Sequence, residues 1–376
     1  MEATPDLQTV PEPIFQWKIF FRNGIYFLVG LLVFLFSLDL MISSLHQLGS
    51  TLSDAILLAT SNPFTGLFIG LLTTAIIQSS SATTSMTVAL VASGSLSLQA
   101  AVPIVMGANI GTTITSTIVS LSFISRKKEF KRAVAAGTYH DFFNILTTLI
   151  LFPLEYNFQF LSNLAQYIAV NFFNEPAGHS TNFKMLGTGL SWPVEFLTAS
   201  ISNGYVLGAL SLFMLYGSIL FFRKVLTDLL GLGSQTKFRR FFFRNPFKSF
   251  SWGLMITAAI RSSTVTTSLV VPLVAKKIIR LRQAGAFTLG ANIGTTITAF
   301  LASTFNSNAA ISIAITHFLF NFIGVLFFFR TPLLKEIPYK LAMELGKLTL
   351  RNRIVGFLYL LLTFFLIPFA LIFLSQ

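Results

Sequence analysis

The nonapeptide GANIGTTIT stands at residues 107–115 and again, letter for letter, at 290–298. A hydroxyl-rich stretch precedes each copy: QSSSATTSMTVALVA at 78–92 and RSSTVTTSLVVPLVA at 261–275. Both pairs are separated by an offset of 183 with no gap, and 21 of the 45 pairs from 78–122 against 261–305 are identical. HDFFN (140–144) and HFLFN (317–321) follow at an offset of 177, after a small deletion. A repeat of this length decides the architecture before any single element is read.

The setting of the repeat is apolar. Of 376 residues, 53% are hydrophobic, 42 are Phe and only 10% are charged. A soluble domain cannot hide that much apolar surface, so the bilayer is expected to act as solvent. No cysteine is present, which excludes disulfides and thiolate metal sites. Met1–Pro13 is polar, contains proline and reads as a flexible tail, not a signal peptide. The net charge of +13 does not point to nucleic acid, because 24 of the 26 Lys and Arg fall in short stretches between apolar runs. That is the pattern of cytoplasmic loops in a membrane protein. Lys184 and Arg261 are the exceptions.

The charge map orients the runs. Gly24–Leu45 reads as a first span leaving the cytoplasm, and 64–94 as an apolar run interrupted by QSSSATTS. Residues 250–275 are interrupted at RSSTVTTS and have basic residues at both ends. Both ends therefore lie inside, and the segment is expected to be a re-entrant hairpin. The first hairpin opens outside and the second inside. The expected fold class is thus an all-α polytopic membrane protein with two inverted-topology repeats, each holding a re-entrant helical hairpin and a broken transmembrane helix. The expected division is a tail at 1–23, a first repeat at 24–153 (hairpin 64–94, broken helix 100–124) and an external connector at 154–203. A second repeat follows at 204–329 (hairpin 250–275, broken helix 284–305), then a basic loop and C-terminal transmembrane helix at 330–376.

Chemistry concentrates in the interruptions. A hairpin tip in lipid frees backbone N–H groups that need partners. A helix starting there points its positive end and its N–H groups at a ligand. Hydroxyls add donors for an oxyanion and acceptors for a small cation. In GANIGTT, the two glycines are expected to let the helix unwind and the backbone approach a ligand. The competing reading is close helix packing by small residues. No Gly-x-Ser-x-Gly elbow, paired carboxylates or metal-ligand cluster appears, so an enzyme is not expected.

The paired motif resembles the type II sodium/phosphate cotransporters, bacterial members included, over roughly residues 25–330. Gln78-Ser79-Ser80-Ser81 matches that family's Gln-Ser-Ser-Ser motif fully. The resemblance implies a secondary carrier that binds phosphate and sodium between the two hairpins and needs no cofactor beyond the coupling ion. Gln78, Ser79, Ser80 and Ser81 would line the phosphate site, with Ser262, Ser263 and Thr264 opposite. Thr83, Thr84, Asn109, Thr112, Thr266, Thr267, Asn292 and Thr295 would serve sodium. The implied location is a bacterial inner membrane, with the N-terminus cytoplasmic. Anionic headgroups would meet the basic loops, and a homodimer is a further expectation. Transport of another oxyanion, sodium-independent carriage and a non-transporting phosphate sensor stay open.

Arg261 departs from the family pattern, which has Gln there. An ionised Arg inside the membrane costs about 2.5–3.5 kcal/mol on insertion scales and marks a functional site by default. Its rigid fork suits phosphate oxygens. It is expected to give the anion pocket a fixed charge, in place of one sodium; the structural alternative pairs it with Asp39 or Asp141. Asp39 itself is expected to face water near the outer end of the first span. His140 and His317 are each four residues before an Asn, one helical turn away, and are expected to make structural hydrogen bonds or relay protons. KFRRFFFRNPFK (237–248) is expected to be an interfacial helix.

Overall fold

The structure, a computed structural model, describes residues 62–173, 191–229, 242–303 and 307–375, together with Arg22, Thr60 and most of 25–48. Every regular element among them is helical. The expected tail, Arg22 apart, and residues 237–241 of the expected interfacial helix lie outside the described residues.

The first helix, α1, covers Leu28–Leu45. α2 (Pro63–Ile77) and α3 (Ser80–Ala92) form the first interrupted run. α4 (Leu98–Gly111), α5 (Ile114–Leu121), α6 (Lys127–Phe158) and α7 (Phe160–Phe172) follow. α8 (Ser191–Ser200) and α9 (Gly204–Leu229) lead to the second half. There α10 (Pro246–Ile260) and α11 (Ser263–Ala275) correspond to α2 and α3. α12 (Leu281–Ser303) and α13 (Asn308–Val325) come next, then α14 (Glu336–Arg351) and α15 (Ile354–Leu374). Among the described residues, five helices are long and apolar enough to cross a bilayer: Leu28–Leu45, Leu98–Leu121, Leu281–Ser303, Asn308–Arg330 and Ile354–Leu374.

The two halves are built alike from the first capping residue. Asn62 Oδ1 accepts from Phe64 N at 2.9 Å, and Asn245 Oδ1 accepts from Lys248 N at 2.7 Å. A proline follows each Asn in the first turn, where its missing N–H costs nothing. The tripeptide Asn-Pro-Phe thus recurs at 62–64 and 245–247, at the offset of the larger repeat. The repeat begins 16 residues earlier than the hydroxyl motif. Within the described part of the expected interfacial helix, Phe242 is helical, Phe243–Asn245 is not, and Pro246–Lys248 belong to the capped start of α10.

Glycines set the spacing between the first hairpin helix and the motif helix. A Cβ on Gly107 would lie 1.8 Å from Leu67 O, and one on Gly290 would lie 1.9 Å from Phe250 O. Gly70 and Gly253 face Ile104 O and Phe287 O at 2.0 Å in the same way. Backbone meets backbone at both crossings, which only glycine permits. The glycines of the motif therefore serve close packing at both crossings; the expected break is present in the first copy and absent from the second. In the first copy the helix is interrupted only at Thr112–Thr113, between α4 and α5. In the second, α12 runs unbroken through the identical nonapeptide. Local sequence cannot account for that difference; the surroundings decide it.

Three further expectations change. The stretch expected as a connector, 154–203, begins inside α6 and continues as α7, whose Leu161, Ala165 and Ala169 join the buried core. Residues 336–351 of the expected basic loop are an amphipathic helix: Pro338, Ala342, Leu345, Gly346 and Thr349 make one buried stripe while the charges face away. Asp39 is buried, at 5% exposure, not water-facing.

The halves are also interlocked. α6, from the first half, packs on α11, and α13, from the second, packs on α3. Each hairpin is thus supported by a helix of the other half.

Candidate functional site

Each hairpin turns on a residue in the left-handed region. Gln78 has φ 57° and Arg261 φ 55°. Their N–H groups donate to Thr74 O (2.7 Å) and Thr257 O (2.6 Å), closing α2 and α10. Left-handed backbone costs a non-glycine residue about 1–2 kcal/mol, and such outliers concentrate at functional sites. The next serine starts the return helix. Ser79 Oγ accepts from Ala82 N at 3.2 Å, and Ser262 Oγ accepts from Val265 N at 3.4 Å. Ser79 and Ser262 are therefore N-caps.

The two tips touch. Ser81 Oγ donates to Arg261 O at 3.1 Å, linking residues from different halves. Ser80, Ser81, Ser263 and Thr264 are all buried. Arg261 is 5% exposed, and its guanidinium lies 5.8 Å from the ring centre of Phe34 on α1. Gln78, its counterpart, is exposed. A cation, four hydroxyl side chains and two helix N-termini thus meet where residues of opposite halves come together. That arrangement provides charge and donors for a small oxyanion.

The residues expected for sodium separate into groups. Thr83 Oγ1 accepts from Thr74 Oγ1 at 2.9 Å and donates to Ser79 O at 3.2 Å. Thr112 Oγ1 accepts from Ser80 Oγ at 3.1 Å. Thr266 Oγ1 donates to Ser262 O at 2.9 Å, and Thr267 is buried. Asn109 and Asn292 belong to a polar network at the crossing of the halves. Asn292 Oδ1 meets His140 Nε2 at 2.6 Å, its Nδ2 donates to Asn144 Oδ1 at 2.8 Å, and Asn321 Nδ2 donates to Asn109 Oδ1 at 3.1 Å. His140 thus makes a structural bond. Thr84 and Thr295 are different: each hydroxyl is buried and makes no hydrogen bond among the described residues. Thr298 shares that condition. These three sit on α3 and α12, which pack together. Buried oxygens without partners suit a hard cation that takes oxygen ligands.

Asp141 Oδ2 accepts from Thr117 Oγ1 at 2.8 Å, which ties it to α5. Sequence reasoning missed Thr74, Thr257, Thr298 and Phe34. Thr74 and Thr257 were findable, since they too stand 183 apart, four residues before each turn. Nothing local distinguishes Phe34 among 42 phenylalanines.

The model of the family described as Na+/Pi-cotransporter matches residues 33–168 and 213–351, one segment in each half. Sodium-dependent phosphate transport protein 2B of Homo sapiens is 30% identical over 457 residues, covering 94% of this chain and 66% of the relative. Sodium-dependent phosphate transport protein 2A of Ovis aries is 31% identical over 419 residues (90% and 65%), and that of Mus musculus 31% over 420 (91% and 66%). The chain thus spans just under two thirds of these relatives' length. No solved structure matches it. The family is one of membrane carriers, not enzymes. With two matched segments that coincide with its internal repeat, the chain belongs to the Na+/Pi-cotransporter family.

Proposed function

We propose that this chain is a secondary active carrier of inorganic phosphate, coupled to sodium and working by alternating access around the two hairpin tips. The observation that carries the proposal is the contact of the tips, Ser81 Oγ to Arg261 O at 3.1 Å, with a buried guanidinium and buried hydroxyls beside it. Ser80, Ser81, Arg261, Ser263 and Thr264 take the phosphate. Ser79 and Ser262 hold the tips as caps, and Gln78 enters from its exposed position. Sodium takes the unpartnered oxygens of Thr84 and Thr295, with Thr298.

The two halves are inverted repeats about the membrane plane, and each hairpin is re-entrant. The basic stretches support this, since 250–275 has Lys and Arg at both ends. The N-terminus is then cytoplasmic and the protein sits in a plasma membrane, of the bacterial inner type. The charged face of α14 and the neighbouring basic residues rest on anionic headgroups.

Uptake of radiolabelled phosphate by proteoliposomes tests the function. A second prediction isolates the ion site. Thr295→Val removes one hydroxyl and keeps the branched shape. It is expected to raise the sodium concentration for half-maximal uptake about tenfold, equivalent to about 1.4 kcal/mol. Unchanged sodium dependence would remove Thr295 from the site.

A further inference from the structure

The two halves carry the same residues and make different hydrogen bonds. Asn292 Nδ2 donates to Asn144 Oδ1, so Asn292 Oδ1 is the acceptor and His140 Nε2 carries the proton between them. Asn144 Nδ2 then donates to Asn109 O at 2.6 Å. By the repeat offsets, the mirror set would run from His317 to Asn109, from Asn109 to Asn321 Oδ1, and from Asn321 to Asn292 O. None of these three bonds is made. Asn109 Nδ2 donates to its own helix at Val105 O (2.9 Å), and Asn321 Nδ2 turns to Asn109 Oδ1 and His317 O. Both ring nitrogens of His317, and Asn321 Oδ1, are left without a hydrogen bond among the described residues, although His317 is only 1% exposed.

The tips differ in the same sense. The bonds from Thr74 to Thr83 and from Ser80 to Thr112 close the first half, while their counterparts Thr257 and Thr295 have no hydroxyl partner. An orphaned buried polar group is costly. Here the same residue types, in the other half, show the arrangement that would satisfy it.

We propose that His140 and His317 are positioning residues that exchange roles as the carrier turns over. In the conformation seen here His140 holds Asn292, and His317 makes no hydrogen bond among the described residues. In the opposite conformation His317 donates to Asn109, the Asn109 amide turns from Val105 to Asn321, and His140 is released. Neither histidine touches phosphate. The pair makes two arrangements of near-equal energy out of one repeated sequence, as a bistable element requires. This rests on the inverted-repeat reading above, in which the two conformations are related by exchange of the halves.

The chain has no cysteine, so Gln78→Cys, at the exposed turn of the first tip, gives a single reporter in the intact chain. Labelling by a membrane-impermeant maleimide, applied from each side of proteoliposomes, reads the balance of the two conformations without requiring transport. His140→Ala is expected to shift the ratio of labelling from the two sides about tenfold, and His317→Ala to shift it by a similar factor in the opposite direction. His140→Gln and His317→Gln, which keep an N–H donor, should return the ratio toward the starting value, which mere loss of packing would not allow. Should an alanine variant fail to assemble, His140→Phe and His317→Phe keep the ring volume and carry the same expectation. Shifts in one direction, or none, in a carrier labelled from both sides would overturn the exchange alone. Labelling from one side only in every variant would overturn alternating access and the exchange with it.

Discussion

Arg261→Gln is expected to raise the phosphate concentration for half-maximal uptake about 10–100-fold and to make uptake depend more steeply on sodium. The magnitude follows from a hydrogen bond to a charged group, worth about 1.5–3 kcal/mol, with each 1.4 kcal/mol equal to about tenfold. The substitution removes the charge, together with its contact to the Phe34 ring, and spares the turn itself. Ser81 bonds to the main-chain carbonyl of residue 261, not to its side chain. Gln78 shows that a glutamine adopts the same left-handed turn, at φ 57° against 55°. The tip geometry therefore survives while the fixed cation is lost, and a further sodium must balance the anion. Arg261→Lys keeps the charge without the bidentate fork and should lose less. Uptake measured over a grid of phosphate and sodium concentrations checks this; identical affinity and identical sodium dependence would exclude Arg261 from the pocket.

The second large effect is structural. Gly290→Ala is expected to abolish the folded carrier, and Gly107→Ala to do the same in the other half. At Gly290 the added carbon would meet Phe250 O at 1.9 Å, the Phe250 carbonyl carbon at 2.8 Å and Leu254 N at 2.9 Å. All three are backbone atoms, so no rotamer change relieves the clash and α10 must move away from α12. Overpacking of a well-packed core costs about 1–3 kcal/mol when side chains can yield, and here they cannot. Moving α10 would also displace the Arg261 tip at its end. Gly217→Ala is the control, because its Cβ would meet nothing within 4 Å. Yield of monodisperse protein and thermal unfolding in detergent give the comparison. A Gly290→Ala protein as stable as Gly217→Ala would refute the close crossing.

The fold was legible where the chain states it twice. Two copies at one offset fixed the correspondence of α2, α3 and α4 with α10, α11 and α12, and the hydroxyl runs placed the turns. The signal was even longer than the motif, since Asn-Pro-Phe and the threonine before each turn also repeat. What stayed hidden is what the copies do not share. Identical GANIGTTIT segments are interrupted in one half and continuous in the other, and Ser80 reaches Thr112 while Thr295 has no such partner. Glycine in that motif fits both unwinding and close packing, and only the distance to Leu67 O or Phe250 O separates them. His140 and His317 were recognisable as a pair from spacing; that one is bonded and the other orphaned depends on which conformation the protein holds. In the stretch after Arg330 six cations dominate the composition up to Arg353, and they mask the buried stripe from Pro338 to Thr349.

Phosphate uptake by proteoliposomes, with and without an inward sodium gradient, tests the central claim most directly. Phosphate is expected to accumulate above its external concentration only when the gradient is present, and that accumulation is expected to collapse when the gradient is dissipated. Phosphate binding with no uptake under either condition, or uptake that merely equilibrates with and without the gradient, would contradict it.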